Sequence, residues 1–347
     1  MSMSESTNLS EWLKLTDTEK KNLFTATGNK VGLPAVAVEK DWWVVQTLSL
    51  ISSMECAESI LFKGGTSLSK GWNLIKRFSE DIDLALDRSF LGFTGQLKKS
   101  EIRRLRKASF DYITNIFLRE LEEKFNEAGF DHVSVNDVKV ANHDQDPTII
   151  EIYYPKLTEK DSYMRPGLLV EIGFRSLGEP NTKRSFRSMV AENFSSAAFA
   201  DKPLSISTVN PERTFLEKIF LLHEEHQKPG DKIRIQRMSR HLYDIQMICK
   251  TEFADRAFEN PELYKNIVNH RQRFTRISGI DYSKHSPASI RFIPPENLLR
   301  VWESDYIRMK ENMIYGESSS LDGLIQELSD LQSKINRLDW QLELEER

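Results

Sequence analysis

Two acidic residues one apolar position apart, Asp81-Ile82-Asp83, stand in the run Arg77-Phe78-Ser79-Glu80-Asp81-Ile82-Asp83-Leu84. A few residues earlier comes Phe62-Lys63-Gly64-Gly65-Thr66-Ser67-Leu68-Ser69-Lys70. Side chains in a strand repeat with period two, so Asp81 and Asp83 point to one face while Ile82 points to the core. Two such carboxylates repel each other unless a cation lies between them. Mg²⁺ suits the arrangement, being a hard ion that takes one or two carboxylates plus substrate phosphates. Gly64-Gly65 can adopt positive φ and turn backbone N–H groups toward an anion. A helix starting near Thr66 adds its amides, and Thr66, Ser67 and Ser69 add hydroxyls. A Gly-Gly-Thr turn alone is often only a turn, and Asp-x-Asp arises by chance. Their order and short separation together suit two-metal phosphoryl transfer, which needs both halves within one nucleotide's reach.

Those residues need elements to hold them. Ile60–Lys63 is a short apolar run ending at the glycines, which predicts a strand entering a tight loop, with Thr66–Leu74 as a short helix. Ile82–Leu86 predicts a second strand. From Leu9 to Ser53 the pattern is helical: Thr16 and Glu19 form a capping-box pair, and Glu39–Ile51 has no breaker. Lys99–Gly129 reads as one long amphipathic helix closed by Gly129. Val133–Val140, Thr148–Tyr154 and Gly167–Phe174 predict a meander of three strands. After Pro203 the character turns helical, with Pro211–His226 and Arg240–Lys250 the strongest segments. The predicted division is therefore 1–205, a mixed α/β domain with N-terminal helices, and 206–347, a helical C-terminal domain. Leu321, Leu324, Leu328, Leu331, Ile335, Leu338 and Leu342 form a heptad seam near the end. Packing within the chain is the first reading of that seam, and self-association through 321–342 the second.

The 347 residues suit roughly two domains. With 39% hydrophobic and 29% charged residues, and nineteen Phe and six Trp, the chain has material for a core without a disulfide or structural metal. Its two cysteines, Cys56 and Cys249, make no disulfide framework and fit a reducing compartment. No N-terminal leader pattern and no apolar run of membrane-spanning length stands out, so a cytoplasmic place with no membrane partner is expected. A net charge of −4 excludes a chain that attracts nucleic acid over its whole surface. Local basic stretches remain: Lys98, Lys99, Arg103, Arg104, Arg106 and Lys107, and another over Lys228–Arg240. Each is read equally well as a solvated face.

The blocks Lys63-Gly64-Gly65-Thr66-Ser67-Leu68 and Arg77 with Ser79-Glu80-Asp81-Ile82-Asp83 resemble the AbiEii-type nucleotidyltransferase toxins of type IV toxin–antitoxin and abortive-infection systems, which are related to the MenT toxins. Glu39-Lys40-Asp41-Trp42, Glu217-Lys218 and Arg240-His241-Leu242-Tyr243-Asp244 extend the resemblance over about residues 39–250. It implies a DNA-polymerase-β-like mixed-sheet transferase core with a helical C-terminal half. It implies NTP as substrate, two Mg²⁺ ions, a cognate antitoxin encoded nearby and, from the MenT side, an RNA acceptor such as a tRNA 3′ end. A third carboxylate comes from an adjacent strand in such cores; Glu171 is the choice, with Glu151 the rival. The nucleotide-binding set is Gly64, Gly65, Thr66, Ser67, Ser69, Lys70, Arg77, Ser79 and Lys218. Lys218, which on residue type alone would snorkel to solvent, is implied to meet phosphate.

Asp244 lies among apolar residues, which suggests either a catalytic role or an ion pair with Arg240 one turn earlier. Asp83 or Asp244 is the candidate base for the acceptor hydroxyl. His223 and His226 lack a zinc spacing and read as surface or loop-adjacent residues. No serine- or cysteine-hydrolase motif is present. Nucleotide transfer onto protein (AMPylation) uses the same acidic set, and a non-catalytic nucleotide- or RNA-binding module is the alternative of another class. A scaffold acting through its heptads is the third; it would lose function with residues 318–347 and tolerate Asp83→Ala.

Overall fold

Aliphatic residues at every second position build the sheet that carries the acidic pair. The computed structural model describes residues 5–137, 146–159, 164–176, 180–275 and 277–344. The chain forms two compact units, Met1–Asn73 with Phe78–Val209, and Leu74–Arg77 with Asn210–Arg347.

The first unit opens with helices α1 (Glu5–Lys14), α2 (Asp17–Val31) and α3 (Ala35–Ile51). The Thr16–Glu19 capping box starts α2, with the Thr16 N–H donating to Glu19 at 2.7 Å. Then come β1 (Ile60–Lys63), a helical turn α4 (Gly64–Thr66) continued by a π turn (Ser67–Gly71), and β2 (Asp81–Asp87). The remainder is α5 (Lys99–Tyr112), a π turn (Ile113–Phe117), α6 (Leu118–Glu127), β3 (Ser134–Asp137), β4 (Thr148–Tyr153), β5 (Leu168–Ser176), β6 (Asn181–Phe186), α7 (Met189–Asn193) and β7 (Leu204–Val209). The strands form one mixed sheet in the order β3-β4-β5-β2-β1-β7-β6. β2 runs parallel to β5 and β1 parallel to β7, and the other pairs are antiparallel.

The expected mixed α+β sheet and meander are both present, and residues 138–140 of the predicted third strand lie outside the described residues. β6 and β7 were not predicted. Asn181–Phe186 is mostly polar because it is an edge strand, and Leu204–Val209 lies where the composition turns helical. The predicted division at 205 falls inside β7, whereas the units part after Val209.

The second unit contains α8 (Pro211–His226), α9 (Ser239–Cys249), α10 (Glu252–Phe258), α11 (Pro261–His270), α12 (Leu299–Met313) and α13 (Leu321–Asn336). It also takes in the segment before β2: Arg77 bridges Ile314, Tyr315 N–H donates to the Lys76 carbonyl at 3.0 Å, and Lys76 N–H donates to the Tyr243 hydroxyl at 3.2 Å. Leu321, Leu324, Leu328, Leu331 and Ile335 are buried, and α13 packs on α9. The heptad seam is thus spent inside its own unit, which removes the basis for self-association through 321–342. The helix ends at Asn336, short of Leu338 and Leu342. Among the described residues no helix is long and apolar enough to cross a membrane.

Candidate active site

Strand register sets the acidic residues. Lys63 on β1, Asp83 on β2, Glu171 on β5 and Ile149 on β4 stand in one row across four strands. Two residues along, the next row on that face holds Asp81, Leu169, Glu151 and Asn136. Registered side chains share a face, and neighbouring strands lie about 4.8 Å apart, so Asp83 and Glu171 are direct cross-strand neighbours. Glu151 is separated from Asp81 by the whole of β5, and its carboxylate accepts the Tyr153 hydroxyl at 2.7 Å. Lys63, Asp81, Asp83 and Glu171 are all half-buried, while Phe62, Ile82, Leu84, Val170 and Ile172 on the opposite face are buried. Sequence reasoning gave Lys63 no role, although it flanks Asp83 on the side away from Glu171; only strand pairing reveals that.

The glycine loop meets this row. Gly64 has φ +75°, and a Cβ placed there would lie 1.8 Å from Asp83 Oδ2. Nothing larger than glycine therefore fits between the loop and that carboxylate. The hydroxyls expected to face phosphate turn inward instead. Thr66 Oγ1 donates to the Asp81 carbonyl, Ser67 Oγ to the Gly64 carbonyl at 2.9 Å, and Ser69 Oγ to the Thr66 carbonyl at 3.1 Å. Lys70 pairs with Asp41 at 2.9 Å, and Ser79 is half-buried just before β2.

Three consecutive charged residues inside the apolar helix α3 hold these pieces in place. Lys40 pairs with Glu80 at 2.6 Å with both side chains buried, and Glu80 also accepts the Arg165 N–H at 3.2 Å. Glu39 accepts the Leu157 and Thr158 N–H groups at 2.8 and 3.1 Å, and the Thr158 hydroxyl. Asp41 accepts the Met189 N–H at 2.6 Å besides Lys70. Burial pushes the Lys40 ammonium below its ordinary range, opposed by Glu80 and Asp81. The sequence signal for this hub was charge at 39–41 in a helix otherwise fit for a core.

The second unit holds Asp244. Arg77 Nε and Nη2 donate to its two oxygens at 2.7 Å each, and Lys218 Nζ lies 2.9 Å from Oδ2. The expected Arg240 pairing is thus replaced by Arg77 and Lys218. Burial alone would raise the Asp244 carboxyl, but the Arg77 and Lys218 charges outweigh it and hold it low. Burial pushes Lys218 down, partly offset by Asp244. Burial together with Lys218, Arg240 and Arg77 holds His241 well below the usual imidazole range. His223 is buried rather than superficial: its Nδ1 accepts the Arg291 N–H at 3.0 Å, and burial holds it at about 4.

Among the described residues no group of three or more His, Cys, Asp or Glu side chains converges to hold a metal ion. The acidic row instead offers hard oxygen donors on one face, against a backbone cradle that a Cβ would fill. That donor set fits Mg²⁺, which retains waters and substrate oxygens, better than a closed protein cage.

A mixed sheet presenting an Asp-x-Asp strand beside a glycine turn that opens a helix is a nucleotidyltransferase arrangement. The sequence matches the AbiEii family, nucleotidyl transferase AbiEii toxin of type IV toxin–antitoxin systems, over residues 48–343, and the chain belongs to that family. It is a nucleotidyltransferase. Among solved structures it is similar to MenT4, a nucleotidyltransferase toxin from Mycobacterium tuberculosis H37Rv. The two share 14% identity at a TM-score of 0.53, covering 94% of this chain and 91% of that one. JHP933 from Helicobacter pylori matches at 14% identity and a TM-score of 0.41, covering 88% and 94%. The first likeness shows the fold; the second is too low to bear on it. No curated protein matches the sequence.

Proposed function

We propose that the chain moves a nucleoside monophosphate from an NTP to an RNA 3′ end, with a tRNA as the acceptor, as the cytoplasmic toxin of an antitoxin-paired phage-defence module. The observation that carries the reading is the Asp83–Glu171 register with Gly64 closed onto Asp83 and Asp81 on the same face. Asp81, Asp83 and Glu171 would hold Mg²⁺, which when bound polarises the phosphate oxygens and neutralises their charge. Glu171 is preferred to Glu151 because it neighbours Asp83 across one strand.

The chain's own residues do the rest. Backbone amides from Gly64 onward face the phosphates, and the Thr66, Ser67 and Ser69 bonds keep that loop in one conformation. Lys63 places a positive charge beside the acidic row. Asp83 accepts the proton of the acceptor hydroxyl as its oxygen bonds to the α-phosphorus and the bond to the β-phosphate breaks, releasing pyrophosphate. Arg77, Lys218 and Asp244 act as positioning residues in the helical unit, because Asp244 is already committed to two cations.

The test is incubation with Mg²⁺, total bacterial RNA and each α-³²P-labelled NTP in turn, beside an Asp81→Ala/Asp83→Ala control. Label should appear on small RNA and fall by about a thousandfold or more in the control. Label on protein instead would establish AMPylation, and no label from a folded wild-type chain would remove the catalytic reading.

A further inference from the structure

The strongest unassigned feature is the outer face of α5. Lys99, Arg103 and Lys107 recur every four residues and form an exposed stripe, while Ile102, Leu105 and Ser109 are buried. Over Lys99–Tyr112 five cations stand against two acids, although the whole chain carries −4. Over Leu118–Glu127, further along the same helical path, four acids stand against two cations. This order opposes the helix macrodipole, which favours acids in the first turns and cations in the last. Helix stability therefore does not account for the charges.

A second observation points to what they meet. Beside the stripe opens a hollow of about 560 Å³ walled by Phe93, Leu97, Arg104 and Lys107, within the range of roughly 300–1,000 Å³ found for small-ligand sites. Phe93 is half-buried, and the Arg104 guanidinium lies 5.9 Å from its ring centroid. Arg104 is otherwise only 3.9 Å from Glu101 and remains mostly exposed. Glu101 and Asp111 also line the hollow; they repel phosphate but can accept the N–H groups of a base.

We propose that α5 is an RNA-docking surface. Its stripe holds the phosphates of a single-stranded segment, and the Phe93 hollow takes one unstacked base. An aromatic wall beside a guanidinium suits the flat face of a base; a carboxylate would use the guanidinium but gain nothing from the ring face. The inference rests on the RNA-acceptor reading above and adds the surface and the strandedness. The hollow follows the far end of β2, the strand that begins with Asp81. At about 3.3 Å per residue the end of β2 is roughly 13 Å from Asp83 and roughly 20 Å from Asp81, a span that an RNA end at the acidic row can cover in trailing back across α5.

The test is fluorescence anisotropy of full-length protein with a 5′-fluorescein oligoadenylate dodecamer and no NTP. Lys99→Gln/Arg103→Gln/Lys107→Gln, checked for fold by circular dichroism, should bind about tenfold or more weakly, and the slope of log K against log salt should fall by about 2. Phe93→Leu should weaken oligoadenylate about fivefold or more and leave polyphosphate binding unchanged. Unaltered affinity in the triple variant, equal effects of Phe93→Leu on both probes, or duplex RNA bound as tightly as the single strand would each overturn the proposal. So would polyglutamate displacing the probe more readily than polyphosphate, the result expected of an acidic-protein surface. A chain that binds through α5 yet transfers nothing keeps the surface and refutes the transferase reading; transfer indifferent to α5 refutes the surface alone.

Discussion

Both units bury a network of charged side chains, but they balance it differently. In the sheet unit each cation on and around α3 has an acid of its own, Lys40 with Glu80 and Lys70 with Asp41, while Glu39 is met by N–H and hydroxyl donors. In the helical unit one carboxylate, Asp244, serves both Arg77 and Lys218. The chemistry of the cations sharpens the contrast. Lys40 is already pushed down by burial and can give up its proton if its partner is lost. The Arg77 guanidinium cannot. The sheet unit's network can relax electrically, whereas in the helical unit Lys218 can follow but Arg77 stays charged.

The largest expected effect follows directly. Asp244→Ala leaves two buried cations without its charge and should cost about 3–5 kcal/mol, at the upper end of what breaking a buried pair does. Urea unfolding of the full chain measures it. A loss below that caused by removing Glu80 would break the comparison.

Acid should single out the helical unit next. Burial holds His223 and His226 at about 4, below the ordinary 6.5. As pH falls through 6.5 the unfolded chain takes up protons that the folded unit refuses, so stability declines until about pH 4. Between pH 7 and pH 5 these two histidines cost roughly 4 kcal/mol, and His241, also held low, adds to the loss. Glu224 adds to it further down: burial would raise its carboxyl, but the Arg271 and His285 bonds hold it at about 2, so its contribution fades as pH drops from 4.5 toward 2. In the sheet unit His132, the histidine among its described residues, is exposed. Thermal scans from pH 7 to 5 should therefore shift one transition more than the other, and His226→Gln should reduce that shift.

Glu80→Gln should cost less than Asp244→Ala, about 1–3 kcal/mol, because Lys40 can become neutral. Its loss should also shrink at alkaline pH. A buried lysine with a lowered pKa penalises the folded state below that pKa, and the penalty disappears as pH rises toward 10.5. A pH-independent loss would show that Lys40 stays charged and that the two networks do not differ in kind.

The legible parts of this fold were those written in local pattern. Ile60–Lys63, the capping box at Thr16, the meander and the Asp81/Asp83 pair follow from period, cap and spacing. What could not be read was register and exchange. Lys63 beside Asp83 and Glu171 beside it on the other side depend on which strands pair. β6 escaped because an edge strand can be polar. The segment Leu74–Arg77 leaves the sheet unit for the helical one, which no local pattern announces. The charges at 39–41 were visible, but their partners, drawn from four separate segments, were not.

The smallest effect separates two roles for one hydroxyl. Spacing alone casts Thr66 as a phosphate ligand; the structure has it donating to the carbonyl of Asp81, tying the glycine loop to the acidic strand. Thr66→Val keeps the shape and removes that donor. As a lock it should cost about 1 kcal/mol of stability, and NTP affinity measured by calorimetry should stay within about twofold, since that bond leaves no hydroxyl proton for phosphate. Thr66→Ser should restore the stability. A phosphate ligand would give the reverse, near-normal stability with affinity down about tenfold, as losing a hydrogen bond to a charged group does. That reversal would return Thr66 to the phosphate-binding set, and it would leave the sheet unit's loop held by its ion pairs rather than by this neutral bond.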